Sequence, residues 1–202
     1  MGTLEAVVLD GKATGTLELA AGEFKKHVSR ALSCARQKNK SYGRDYRDAI
    51  LFEGKGDKLQ IMGTDGNILY RGILPVLDGA FEGRMIVWQE QLLPVVKGIT
   101  GKQEDYRMLW NLEGQSLNLL GMTWALPSVA IRFPDASDII KEAQEKPMGS
   151  GHTYNAGLFA RIFKSLGDEE CTLRQGETWK EPTVLTVKDG VYLVMPLEGE
   201  EK

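Results

Sequence analysis

Few residues in this sequence could carry covalent or metal chemistry. The two histidines, His27 and His152, and the two cysteines, Cys34 and Cys171, stand apart from one another along the chain. A zinc site or a nucleophilic triad needs several such side chains at short spacing, so neither is expected and both cysteines read as reduced packing residues. Asp65, Asp135 and Asp138 fall in loop-like stretches. No second carboxylate, phosphate-cradling loop or nucleophile motif accompanies them. Gly63 and Gly66 read as turn residues, and Trp88, Trp110, Trp124 and Trp179 as packing residues. The expectation is a protein that is not an enzyme, with no cofactor and no metal.

Positive charge is what the sequence concentrates. Between Phe24 and Arg47 lie Lys25, Lys26, Arg30, Arg36, Lys38, Lys40, Arg44 and Arg47 against one acid, Asp45, although the net charge of the chain is −3. A basic patch on an acidic, soluble chain is suited to contact with phosphates. A solvated helix flank followed by a basic loop explains the same residues equally well. No apolar run approaches the roughly 18 residues of a membrane helix, and residues 1–10 lack a basic stretch followed by an apolar one. A cytoplasmic protein without membrane contact is expected.

The elements that must position these cations repeat three times, at a period of about 66 to 69 residues. In the first unit Thr16–Leu19 predicts a strand and Ala21–Ala35 a helix, with Phe24, Val28, Ala31, Leu32 and Ala35 on one face. The period then changes to two, and strands are expected at Ala49–Glu53, Leu59–Gly63 and Ile68–Leu74. The second unit gives Met85–Trp88, a helix over Gln89–Ile99 with Leu92, Leu93, Val96 and Ile99 inward, and strands at Tyr106–Leu112, Ser116–Gly121 and Ser128–Phe133. Pro94 requires that helix to bend or to start later. In the third, Thr153 and Tyr154 precede a helix capped by Asn155 and stopped by Gly167, with Leu158, Phe159, Ile162 and Phe163 inward. Strands at Cys171–Arg174, Val184–Val187 and Val191–Met195 complete it. Charges beside the apolar stripes are mostly basic, with Lys25, Lys26 and Arg30, then Lys97, then Arg161 and Lys164 on the three helices.

Repeated β-α-β-β-β units with basic helices resemble the DNA sliding clamps, in particular the beta subunit of bacterial DNA polymerase III. Phe24–Leu32 resembles that family's first helix, KLQIMGTDGNILYR (Lys58–Arg71) its strand pair with a Thr-Asp dipeptide, and Ile86–Ile99 its second helix region. RFPD (Arg132–Asp135) resembles the segment that closes its first domain, and Tyr154–Leu166 with YLVMPL (Tyr192–Leu197) the second half of its last domain. The resemblance implies an α+β DNA-clamp fold with helices on one face of antiparallel sheets. It divides the chain into a complete two-unit domain over 1–137, a connector over 138–152 and a half-domain over 153–202. The family has three domains of two units each, so this chain is a shortened version.

By the same resemblance Lys25, Lys26, Arg30, Lys97, Arg161 and Lys164 would face duplex DNA, flanked by Arg36, Lys38 and Lys40. Such contact is to phosphates and carries no sequence specificity. Leu193, Met195, Pro196 and Leu197 match the carboxyl-terminal strand that in the family lines a groove for short peptides of polymerases and repair proteins. Here Glu198–Lys202, EGEEK, follow it, and plain core is the other reading of those apolar residues. The leading expectation is a non-catalytic, clamp-like DNA-binding protein that tethers replication or repair factors. The alternative is an interaction module that binds a polymerase or a cellular clamp without encircling DNA. Self-association is expected, as a dimer in preference to a ring, because an unpaired half-domain needs cover.

Overall fold

A computed structural model describes residues 15–36, 44–145, 154–176, 178 and 180–197. Lys38, Lys40, His152, Trp179 and the acidic end 198–202 lie outside the described residues.

The first unit follows the predicted order: β1 (Thr16–Ala20), α1 (Ala21–Cys34), β2 (Ala49–Gly56), β3 (Lys58–Thr64) and β4 (Ile68–Pro75). α1 buries Phe24, Val28, Ala31 and Leu32 at helical spacing and carries Glu23 in its first turn, where the helix dipole favours an acid. Gly63 is a packing residue, not a turn residue. A Cβ there would stand 2.3 Å from the Ala31 carbonyl oxygen, so only glycine lets α1 press this closely on β3.

The second unit comprises β5 (Phe81–Trp88), α2 (Gln89–Gly98), β6 (Arg107–Asn111), β7 (Ser116–Leu119) and β8 (Met122–Ala125). The helix accommodates Pro94 on its exposed side. The last strand is not where the sequence places it. Leu120 and Gly121, at φ 49° and 83°, close a two-residue hairpin between β7 and β8, a turn hidden by leucine in a position that asparagine or glycine usually takes. Residues 128–133 cross the outer face of the larger sheet instead. Val129 N–H donates to the Ile86 carbonyl at 2.8 Å, and Val129, Ile131 and Phe133 pack on that face. The expected connector likewise starts inside a helix, α3 (Ser137–Glu145), whose Ile140 is buried there.

The third unit provides α4 (Ala156–Leu166), β9 (Thr172–Arg174), β10 (Thr183–Val187) and β11 (Gly190–Val194). Asn155 caps α4 by accepting from Gly157 N–H. Tyr154, which holds the place of the leading strand in this unit, is irregular.

Two antiparallel sheets result, ordered β1-β6-β7-β8 and β5-β2-β3-β4-β11-β10-β9. The first two units exchange their leading strands: β1 pairs with β6, and β5 pairs with β2. The third unit continues the larger sheet through β11 on β4, with Leu193 opposite Leu69, while α4 lies against α1. The cover expected from a second copy is therefore supplied within the chain on this side, and β9 and β5 are the terminal strands of the larger sheet among the described residues.

The inner core fills the space between helices and sheets, centred on Phe24, Phe52 and Trp110, with the Trp110 ring edge-on to Phe52 at 4.9 Å and to Phe24 at 6.0 Å. Two expected core residues are not in it: Leu93 is 38% and Phe163 49% exposed. α2 buries Leu92 and Val95, followed by its C-cap Ile99, and α4 buries Ile162 and Leu166. The stripe on α4 is rotated because α1 covers one flank, a tertiary contact that helical spacing does not contain.

Candidate functional site

The cations of α1 and its flank are largely neutralised by acids from other segments. Lys25 Nζ lies 2.6 Å from Glu104 Oε1, and Lys26 Nζ lies 2.9 Å from both Glu23 Oε2 and Asp189 Oδ2. Arg44 pairs with Glu90 at 2.9 Å and stands over the Trp88 ring. Arg47 pairs with Asp45 at 2.6 Å, and its hydrogen bonds hold the Asp45 carboxyl down at about 2.

Three of the cations expected at DNA are engaged by other parts of this chain. Arg30 is only 2% exposed and pairs with Glu169, because its position on α1 faces the third unit. Arg36 binds Asp48 through two nitrogens and approaches Asp45 at 3.5 Å, pinning the chain at the end of α1 to the start of β2. Arg161 reaches from α4 across to the first unit, donating to the carbonyls of Ser33 (2.9 Å) and Ala35 (2.8 Å) and to Asp65 Oδ2 (2.6 Å). The last turn of a helix leaves such carbonyls without partners, and a cation suits the dipole there. Lys97 and Lys164 are exposed, and neither has an ion-pair partner among the described residues.

A second surface lies on the opposite side of the larger sheet. The turn from β3 to β4 is built by Thr64 and Asp65: the Thr64 hydroxyl donates to the Ile68 carbonyl and accepts from Gly66 N–H, and Asp65 accepts from the Asn67 and Ile68 N–H groups. Gly66 takes φ 96°, as this turn requires. The turn, the Pro134–Ile139 stretch and the end of β11 enclose a mostly apolar pocket of about 200 Å³. Leu69, Pro134, Ala136, Ile139, Leu193 and Met195 supply its apolar wall. Strand alternation explains the placement, since Tyr192 and Val194 enter the inner core while Val191 and Leu193 face outward. Two residues of the expected groove, Leu193 and Met195, thus line a real concavity. Pro196 lies half-buried beyond it and Leu197 is exposed.

A third cluster is not evident from the sequence. His27 is fully buried, its Nδ1 2.6 Å from the Tyr70 hydroxyl and its Nε2 without a hydrogen-bond partner. Burial, reinforced by the Lys26 charge, pushes its pKa down to about 4, so the ring is neutral at pH 7. Glu23 and Asp189 bring their carboxylates to it, with ligand atoms of the three residues all within 4.8 Å of one another. The Glu23–His27 spacing of four residues is a legible signal. Asp189 arrives from the turn between β10 and β11 and has none. Of the cysteines, Cys34 is buried and its thiol is pushed up to about 12, while Cys171 is half-buried; both are free.

The paired sheets with exchanged leading strands, and with α1, α2 and α4 on their inner side, match solved structures. A sliding clamp (DNA polymerase III subunit beta) of Pseudomonas aeruginosa, solved bound to griselimycin, superposes with a TM-score of 0.73 over 96% of this chain and 68% of its own length, at 16% identity. The chain has the sliding-clamp fold. The Bacillus subtilis sliding clamp gives a TM-score of 0.74 over 92% of this chain and 65% of that clamp at 7% identity. A Eubacterium rectale protein assigned as a DNA polymerase III beta subunit gives 0.74 over 92% of this chain and 66% of that one at 12% identity. The chain therefore spans about two thirds of the clamps it matches. No protein-family model matches the sequence, and a search of curated proteins finds no match. No helix among the described residues is long and apolar enough to cross a membrane.

Proposed function

We propose that this clamp-fold chain is a non-catalytic cytoplasmic scaffold that docks a short apolar peptide of a replication or repair protein, such as a polymerase. The observation that carries this reading is the pocket closed by Leu193 and Met195 against the Thr64–Leu69 turn and Pro134. About 200 Å³ accommodates one or two large apolar side chains, and the β3–β4 turn beside it is braced by Arg161, so the wall is preorganised. The cations of α1, by contrast, are paired with acids. Fluorescence polarisation of labelled pentapeptides, carrying Leu or Phe at one position against an all-Ser control, tests the reading. The Leu and Phe peptides should bind saturably and the control should not. Equal binding of all three, or none, would remove it.

A second function rests on Lys97 and Lys164, exposed on α2 and α4. These helices would meet duplex DNA through phosphates alone, so any such binding should be independent of sequence and fall steeply with salt. Self-association in this scheme would use the β9 edge of the larger sheet, where Leu173 is exposed.

A further inference from the structure

We propose that Glu23, His27 and Asp189 form a site for a divalent transition-metal ion of the zinc class, which fastens α1 to the turn between β10 and β11. A buried nitrogen without a partner is rare in folded proteins and calls for an explanation. His27 Nε2 is such an atom. It points toward Glu23 Oε2 at 3.8 Å, and Asp189 closes the third side of the cluster.

The donor set fits the ion. One neutral imidazole and two carboxylates are ligands that zinc, cobalt and manganese accept, whereas magnesium and calcium favour oxygen alone. The ring is held for the task by Tyr70, whose hydroxyl lies 2.6 Å from Nδ1. With the proton on Nδ1 donated to the Tyr70 oxygen, the Nε2 lone pair is free for the metal, an arrangement that commonly orients metal-binding histidines. The ring is also fixed from behind, since a Cβ on Gly72 would stand 2.3 Å from Nδ1.

The ammonium of Lys26 marks the cation's place. It bridges Glu23 and Asp189 at 2.9 Å to each, and it is the competitor that a metal ion must displace. Its side chain is about one third exposed and flexible, so it can swing into solvent as the ion enters. The consequence for the fold is a further link between the first and third units, beside the Lys26–Asp189 and Arg30–Glu169 ion pairs.

The test is isothermal titration of the full chain with zinc chloride, with magnesium chloride as control and circular dichroism to verify the fold of each variant. One zinc per chain should bind, and magnesium should not compete. Asp189→Asn, in a turn that leaves the fold intact, and Glu23→Gln should each weaken binding by more than about tenfold. Tyr70→Phe should weaken it by about 10–100-fold, the usual effect of losing an orienting partner. Lys26→Met should tighten binding, because it removes the ammonium that competes for the Glu23 and Asp189 carboxylates. A doubly substituted His152→Ala, Cys171→Ser chain should bind as the wild type does. Absence of zinc uptake, uptake unaffected by Asp189→Asn and Glu23→Gln together, or loss of uptake in the His152/Cys171 variant would overturn the assignment.

Discussion

The two faces of the seven-stranded sheet present their chemistry in opposite ways. On the inner face a sequence-local excess of cations is folded against acids drawn from distant segments: Glu104 for Lys25, Asp189 for Lys26 and Glu169 for Arg30. On the outer face a few apolar side chains, distributed over β4, the Pro134–Ile139 stretch and β11, converge on one pocket. Charge counted along the chain is thus a poor guide to charge at a surface, because an ion pair is decided by where the partner acid lands. Apolar alternation along a strand survives folding, because the pleat itself decides which side each residue takes.

That contrast can be broken at several places. The largest effect is expected at the inner core, where Phe24→Ala should cost about 3–5 kcal/mol in urea unfolding, since the ring is buried and packed against Phe52 and Trp110. Arg161→Leu should cost about 2–3 kcal/mol, because it strips a mostly buried Asp65 of its partner and leaves the Ser33 and Ala35 carbonyls unpaired. A cost below about 0.5 kcal/mol, the range of ordinary surface changes, would show that Arg161 is not the strut between the first and third units.

Charge reversal sharpens the comparison. Lys97→Glu with Lys164→Glu should leave stability within about 0.5 kcal/mol of the wild type, because both side chains are exposed. Arg30→Glu, in contrast, should unfold the chain or nearly so, since it buries a carboxylate beside Glu169. If random duplex DNA binds at low salt, the Lys97/Lys164 variant should lower the slope of log K against log salt by about 2, one for each phosphate no longer neutralised. An unchanged slope would take α2 and α4 away from DNA.

The smallest expected effect is a pH dependence. Asp45 is held at about 2 by Arg47, below its ordinary value of 3.8. It therefore contributes stability that is fully present above about pH 4 and is lost as pH falls toward 2. The wild type should exceed Asp45→Asn in stability at pH 6, and the gap should narrow as pH falls through that window. A gap independent of pH would assign the effect of the substitution to the capping hydrogen bond from Arg47 N–H and not to charge.

Much of the architecture is legible in the residues. The switch from a 3.6-residue to a two-residue period locates α1, α2, α4 and most strands, and the resemblance to clamps carries the fold. The errors have definite causes. β8 is hidden because Leu120 occupies a left-handed position without the usual turn residue. Residues 128–133 look like a strand because Val129, Ile131 and Phe133 alternate, yet they cover a sheet face. α3 reads as a polar connector because Ile140 is its one buried side chain. The candidate sites are half legible: Leu193 and Met195 are named by the resemblance of their strand to the clamps, whereas Thr64, Leu69 and Ile139 reach the same pocket only through tertiary folding.

The central claim is that the end of β11 and the β3–β4 turn hold an apolar peptide side chain, and Met195→Glu tests it most directly. Met195 is half-buried at the pocket wall, so the substitution places a carboxylate in the proposed binding space while leaving the inner core untouched. Polarisation titrations of the Leu- or Phe-bearing pentapeptide should show affinity at least about tenfold weaker for the variant, a penalty of about 1.4 kcal/mol, with unfolding midpoints of the two proteins close together. Equal affinity in a folded Met195→Glu protein would contradict the account.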